Sequence, residues 1–515
     1  MAIDTSNTPG DKASRGIESR DNVSQHPDSK TESDSIADRK TTGDAHLVSY
    51  QELEVAPARP QIEGDQDARP IQPIGLNEVL DSVENHFPLL IAAAAEQEIA
   101  DGRVISASGQ FDLQFTGSTL LQPLGFYQNN RAGMALSQPI YQNGGYVYGG
   151  YRMGRGDFPA WYKERQTDGN GEYAVGMGVP LLKNRAIDQR RADLFRAQLD
   201  SQAVDPQVRT QLILFSRDAA VAYWYWLAAG KSLDVQFNQL RIAQERVQQI
   251  SLRVEKGDLP TIARIDNDRF IAARQTKLIE ATRRFQGAAI GLSLFLRTPE
   301  GRPLLATEFN LPSQFPGMRE SDPQQLQADI DLAIGQRPEI TAIDFELRKI
   351  QIDQQAAQNQ LFPKLDVILE ASKDTGTQAG LIDDKSPFEM EAGILAEVPL
   401  QRRDAIGKIR TAQGKQSQLL AKRDFLIDNV TTRVQDAYSA IENARERFDQ
   451  ATKNKELAIQ SMEIGRRQFE AGDIDLIVLN IYEQAEAEAE LIVIDAEAEY
   501  FSSLADYRAA LGIVR

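Results

Sequence analysis

Cysteine is absent from the 515 residues, which excludes disulfides, thiolate metal sites and thiol nucleophiles but assigns no compartment. Histidine is scarce. Of His26, His46 and His86, the first two lie in a polar segment, so a His-based metal centre or triad is not expected, and neither is a cofactor. No basic excess exists: the net charge is -18, which argues against a nucleic-acid partner. No apolar run reaches the roughly 18 residues that a membrane-crossing helix needs. Met1 to Thr42 is polar, rich in Ser, Asp and Lys, and lacks the apolar centre of a signal peptide. Gly-rich phosphate loops and nucleophile motifs are also missing, so the chain is not expected to be an enzyme.

Hydrophobic residues make up 41% and aromatics only 7%, with abundant Ala, Glu, Gln and Arg, a balance that favours long helices. Residues 1–74 read as a disordered polar tail carrying Pro57, Pro60, Pro70 and Pro73. Order is expected from Leu76, in a helix running to about Asp101. The texture then changes to Gly, Tyr and Phe. Phe111, Leu113 and Phe115 alternate with polar residues, and Tyr173, Val175, Met177 and Val179 alternate with small ones, both period-two strand signals. From Arg185 the period lengthens. Leu212, Phe215, Ala219, Ala222, Trp226, Ala229, Leu233, Phe237 and Leu240 form a heptad seam, which breaks at Lys256-Gly257-Asp258-Leu259-Pro260. A return helix follows to about Arg297. The arm of roughly 70 residues would span about 100 Å, with Pro206 as a possible kink.

The order then repeats after a Pro-rich connector, residues 299–322. A helix runs to about Gln360. Leu365, Val367 and Leu369 alternate with Asp366, Ile368 and Glu370, and Phe388 to Val398 alternates in the same way. Val430, Val434, Ala437, Ile441, Ala444, Phe448 and Ala451 form a second seam, broken at Ala471-Gly472-Asp473-Ile474. Three anchors align the halves: Phe87-Pro88 with Arg337-Pro338, Val179-Pro180-Leu181 with Val398-Pro399-Leu400, and Gly257-Asp258 with Gly472-Asp473. Duplication is the reading, with repeat 1 over 75–298 and repeat 2 over 323–515.

These anchors, in this order around two heptad arms, resemble the outer-membrane efflux protein family typified by TolC, over roughly residues 75 to 514. The resemblance implies a mainly α fold with membrane β-strands. Long α-helical hairpins would form an α-barrel in a trimer, joined to a shared transmembrane β-barrel. It implies a passive duct from periplasm to exterior, serving tripartite efflux or type I secretion. The partners would be a periplasmic adaptor, an inner-membrane transporter and outer-membrane lipid. The first half departs from the family pattern. Gln138-Pro139-Ile140-Tyr141-Gln142-Asn143-Gly144 looks like a strand exit, yet residues 143–171 add a Gly- and Tyr-rich excursion before a second exit at Val179-Pro180-Leu181. That excursion is either an extra hairpin in the barrel wall, giving six strands per protomer, or an extracellular or plug-like insertion.

The resemblance makes Gly257, Asp258, Leu259, Gly472, Asp473 and Ile474 the adaptor-docking tips; a Gly that merely ends a helix is the plainer reading. The family's paired aspartates past the second tip are replaced by Val478, Leu479, Asn480 and Ile481. Asp473 and Asp475 are the nearby gate candidates, against a plain role at a helix start. Glu483, Glu486, Glu488 and Glu490 are candidates for duct charge, against a solvated helix face. Glu389, Glu391 and Glu397 are expected to face the lumen opposite a lipid-facing Phe388 to Val398 row. Tyr141, Tyr146, Tyr148, Tyr151, Phe158, Trp161 and Tyr162 are candidates for an interfacial girdle. Tyr223-Trp224-Tyr225-Trp226 reads as packing, and Lys183, Asn184, Arg185, Arg402 and Arg403 as either headgroup contacts or helix starts. The rival classes are a periplasmic adaptor, with a single hairpin, and a cytoplasmic coiled-coil scaffold, which leaves the strands unexplained.

Overall fold

The structure is a computed structural model that describes residues 72–514 apart from 161–164, 321, 379–385 and 387. The tail expected over 1–74 therefore lies almost wholly outside the described residues. Ile74 is buried, its amide donates to the Asn310 carbonyl at 2.9 Å, and its carbonyl accepts the Tyr223 hydroxyl at 3.0 Å.

Two short helices come first, α1 (Leu76–His86) and α2 (Pro88–Ser108). Their break falls at Pro88, which cannot continue α1 but suits the first turn of α2. Four strands follow: β1 (Gln114–Gln122), β2 (Asn129–Pro139), β3 (Tyr146–Gly156) and β4 (Glu172–Pro180). Then come α3 (Gln189–Glu255) and α4 (Ile262–Leu292). The second half repeats the order with α5 (Leu326–Gln336), α6 (Pro338–Asn359), β5 (Lys364–Asp374), β6 (Phe388–Glu397), α7 (Arg403–Ala471) and α8 (Leu476–Leu511). Pro338 breaks the second pair as Pro88 breaks the first. The long helix α3 has 67 residues and α7 has 69, each about 100 Å at ~1.5 Å per residue.

The heptad reading holds at the level of burial. Ala219, Trp226, Leu233 and Leu240 are all buried, seven residues apart, as are Val430, Val434, Ala437, Ile441, Ala444 and Ala451. In proteins most of a helix's stability comes from packing one apolar stripe rather than from propensity. Accordingly α3 packs on α1, α2, α4, α6 and α8, and α7 on α5, α6 and α8. The main core sits where α3, α4 and α8 meet the connector. There Trp224 stacks on Phe501 with ring centroids 4.5 Å apart, and Phe315 lies over both. Tyr223, Trp224 and Trp226 are buried, which supports the packing reading of that aromatic run.

All six strands form one antiparallel sheet in chain order, β1-β2-β3-β4-β5-β6. The excursion of the first half, 143–171, thus contributes β3 to the wall, paired on both sides within the common sheet. β1 and β6 are the open edges.

Candidate functional site

Residues directly opposite in an antiparallel pair share a face, so the registers sort every strand residue. One face carries Phe115 and Leu121 of β1, Ala132, Met134 and Leu136 of β2, and Val147 and Met153 of β3. It continues through Val175 and Met177 of β4, Leu365, Val367 and Leu369 of β5, and Met390, Ala392 and Ile394 of β6. Tyr151, Tyr173 and Phe388 sit on this apolar face in one row across the sheet, with Lys373 between the last two, and the two tyrosine rings lie 5.1 Å apart.

The opposite face is polar. Arg152 donates to Glu172 at 2.8 Å and lies 3.5 Å from Glu370, which also accepts the Tyr148 hydroxyl. Glu172 is buried beneath this network, which ties the inserted hairpin to β5 across β4. Glu389, Glu391 and Glu397 lie opposite Ser372, Glu370 and Lys364, so all three carboxylates share the polar face. Tyr146 and Tyr148 lie there too, a correction to the girdle assignment. Their rings fill the space over Gly178 and Gly176, where a Cβ would come within 2.5 Å of ring carbons. Tyr141 packs instead against Phe111 and Phe195. Trp161 and Tyr162 lie outside the described residues.

The strand-to-helix junctions are built by local backbone chemistry. Asp188 caps α3 by accepting the Arg191 amide at 3.0 Å. The buried Arg191 side chain donates to the Arg185 and Ala186 carbonyls at 3.1 Å. Burial opposes the charge of the Asp188 carboxylate, but hydrogen bonds from Arg191 and Arg190 outweigh it and hold its pKa below the ordinary range. Asn184 takes positive φ at this turn, and Arg402 does so as the cap of α7. Arg191 was not singled out from sequence, since one arginine in an Arg-rich helix start carries no distinguishing signal.

The two helical tips are chemically the same turn. Gly257 and Gly472 adopt φ of 81° and 87°. Asp258 donates its amide to the Arg253 carbonyl, and Asp473 to that of Gln468, at 2.8 and 2.9 Å. Each bond closes the last helical turn as a Schellman motif. Leu259 and Ile474 fold inward onto a small shared core of Ile250, Ala263, Phe469, Leu476 and Leu479. The structure thus brings the two tips together and leaves Asp258 and Asp473 exposed at the end. Asp475 caps α8 through the Val478 amide at 2.9 Å.

The acidic run behind the second tip is not a line of free charges. Glu483 is buried, accepts from Arg274 at 2.7 Å and pairs with Arg246. Arg274 also reaches the Gln239 carbonyl at 2.7 Å and Asn480 at 3.0 Å. The reading of Glu483 as a duct charge is corrected on this geometry: within the chain its carboxylate is enclosed and neutralised. Glu490 is bonded to Lys455, and Glu488 accepts from Gln484. Burial, reinforced by Glu490 and Glu483, raises the pKa of Glu486. No group of three or more His, Asp or Glu among the described residues is placed to hold a metal ion, and no helix there is long and apolar enough to cross a membrane.

Residues 330–513 match the model of the outer membrane efflux protein family. The chain is 25% identical over 331 residues to the pyoverdine export outer membrane protein OpmQ of Pseudomonas putida, an alignment covering 61% of this chain and 65% of that relative's own length. Among solved structures, the outer-membrane channel OprN superposes with a TM-score of 0.61 at 15% identity, covering 85% of this chain and 89% of that one. The open state of the Neisseria gonorrhoeae MtrE outer membrane channel gives 0.60 at 14%, covering 90% and 97%. Identities this low speak for fold alone. The second half of the chain thus matches the outer membrane efflux protein family, and the sheet with its paired helical hairpins shares the fold of these channels.

Proposed function

We propose that the chain is the outer-membrane channel of an export machine, a passive trimeric duct from the periplasm to the exterior. The observation that carries this reading is the six-stranded sheet, with one apolar face, one polar face and two unpaired edges. In lipid an open edge leaves backbone groups without partners, so such a sheet needs closure. Three copies close it when β1 of one pairs with β6 of the next, which turns the apolar face to lipid and the polar face to a wet lumen. The Tyr151, Tyr173 and Phe388 row then sits at one membrane interface. The four long helices of each copy, α3, α4, α7 and α8, continue the duct into the periplasm. Residues 75–298 and 323–515 act as its two repeats, joined by the 299–322 connector.

At the far end, Gly257, Asp258, Leu259, Gly472, Asp473 and Ile474 form the surface that docks a periplasmic adaptor, itself bound to an inner-membrane transporter. Asp473, Asp475 and Glu486 are the carboxylates nearest the entrance that remain as gate candidates. Export, as the name of OpmQ states it of pyoverdine for that protein, is the activity carried over; cargo choice rests with the transporter.

Membrane fractionation with chemical crosslinking tests the duct. A trimer in the outer-membrane fraction is expected, and a soluble cytoplasmic monomer refutes the reading. Charge reversal at Asp258 and Asp473 together is expected to abolish export while trimers persist. Normal export in that double variant removes the docking role.

A further inference from the structure

The two open edges of the sheet are stepped by a definite amount. A row of directly opposed residues that starts at Gln114, the first of β1, runs through Ser137, Tyr148, Gly176 and Glu370 to Glu391. It meets β2 two residues from that strand's helical end at Pro139, β4 four residues from Pro180, and β6 six residues from Glu397. The strand ends thus fall away steadily across the sheet, the stagger that a tilted barrel wall requires. Identical copies repeat the same step. Opposed residues share a face, so the step per copy is even. With a rise of ~3.4 Å per residue and strands ~4.8 Å apart, a step of six tilts the strands by about 35°, eight by about 43° and four by about 25°. Closed barrels tilt by about 35–45°, which excludes four.

Edge length decides between six and eight. A step of six gives every residue of β1 a partner, with Gln114 opposite Glu397 and Gln122 opposite Glu389. A step of eight carries Gln114 and Phe115 past the end of β6, where their backbone groups lose partners. Six also sets large beside small on the apolar face, Phe115 by Ala396 and Gly117 by Ile394, a favourable cross-strand packing. The helices carry the same two edges. Below the sheet, contacts run in the order α2, α3, α6, α7, so α2 lies on the β1 side and α7 on the β6 side. On α2, Ile91, Glu98 and Ile105 are exposed at heptad spacing; on α7, Ile406, Arg410, Gln413 and Leu420 are exposed along one stripe of the same length. α2 runs toward the sheet and α7 away from it. Laid side by side between copies, the stripes bring Ile105 to Ile406, Ile91 to Leu420 and Glu98 to Arg410, apolar to apolar and charge to opposite charge. We infer that the copies join along this one continuous edge in a single register: Gln114–Gln122 of β1 pairs with Glu397–Glu389 of β6 in the next copy, and the α2 stripe packs on that copy's α7 stripe. The inference rests on the channel reading above and specifies its wall. Six strands per copy then make a ring about 34 Å across between backbones.

Because the chain has no native cysteine, paired cysteines report the register cleanly. Three double variants share Glu391→Cys and carry in addition Ser118→Cys, Leu120→Cys or Gln122→Cys, which read steps of four, six and eight. Directly opposed Cα atoms lie about 4.5–5.5 Å apart, within reach of a disulfide, whereas a slip of two residues puts them about 8 Å apart, beyond the ~7 Å limit. Outer membranes are oxidised with copper phenanthroline and run on a non-reducing denaturing gel. Leu120→Cys with Glu391→Cys is expected to give reducible trimers at least about tenfold faster than either other pair. Equal or faster bridging by the Ser118 or Gln122 pair overturns the register, and no bridging by any pair in protein that amine crosslinking shows to be trimeric overturns the β1–β6 edge. In the helices, a short bismaleimide should join Ile105→Cys to Ile406→Cys between copies. Assembled trimers in which it fails to do so overturn the α2–α7 contact. A chain that stays monomeric under amine crosslinking overturns the channel reading itself, and the edge with it.

Discussion

Removing the Glu483 carboxylate is expected to loosen the α3–α4–α8 contact behind the tips more than any other single change there. Glu483 and Arg274 have side chains only 6% and 8% exposed, and Arg246 only 13%. In Glu483→Ala two guanidinium groups stay enclosed with no opposite charge, and water reaches them poorly. Breaking one side of a buried ion pair costs about 3–5 kcal/mol. The residual bonds of Arg274 to Gln239 and Asn480 do not supply a counter-charge. Local opening governs amide exchange, so protected amides of α4 and α8 near the network should exchange roughly two to three and a half orders of magnitude faster. Hydrogen exchange read by mass spectrometry on the assembled protein measures this directly. A triple change to methionine at Arg246, Arg274 and Glu483 removes the unpaired charge and should restore protection, because apolar replacements of buried ion pairs are often neutral or stabilising. Acceleration below tenfold in Glu483→Ala, or acceleration spread evenly over α1 and the sheet, refutes the reasoning.

At the second tip, Gly472→Ala places a Cβ at φ 87° in open space, so only backbone strain acts. Thermal unfolding should register a loss of about 1–2 kcal/mol, and an unchanged midpoint argues against the Schellman turn. Burial raises the pKa of Glu486 and Glu497 on α8. Their folded values lie above the unfolded ones, so their stabilisation is present at acid pH and lost as pH rises through the raised values. The helical part should therefore melt higher just above pH 4–5 than at pH 7, and Glu486→Gln with Glu497→Gln should flatten that slope. A slope identical in the double variant assigns the effect elsewhere.

Much of the helical architecture is legible in the sequence because a long arm repeats its signal many times. Ala219, Trp226, Leu233 and Leu240 keep one stripe over several turns, and a Gly-Asp pair ends each arm. The strand segments are also visible, since in β4 Tyr173, Val175 and Met177 alternate with small residues. Their pairing is not, and pairing decides which face a side chain joins. Tyr146 and Tyr148 look like girdle residues until Gly178 and Gly176 are known to lie beside them. Whether the excursion enters the wall or leaves it depended on the same unknown. Glu483 shows the limit in the helices: its partners Arg246 and Arg274 are 237 and 209 residues away, and a lone Glu in an acidic run gives no sign of which carboxylate turns inward.

Cysteine labelling along β2 tests the central claim, that this sheet is the wall of a water-filled membrane barrel. Ala132, Met134 and Leu136 lie on the apolar face, and Ala135 and Ser137 on the polar one. In outer membranes, a water-soluble, membrane-impermeant maleimide should label Ala135→Cys and Ser137→Cys and spare the other three, which should react with a lipid-soluble reagent instead. Equal aqueous labelling at all five positions contradicts the account.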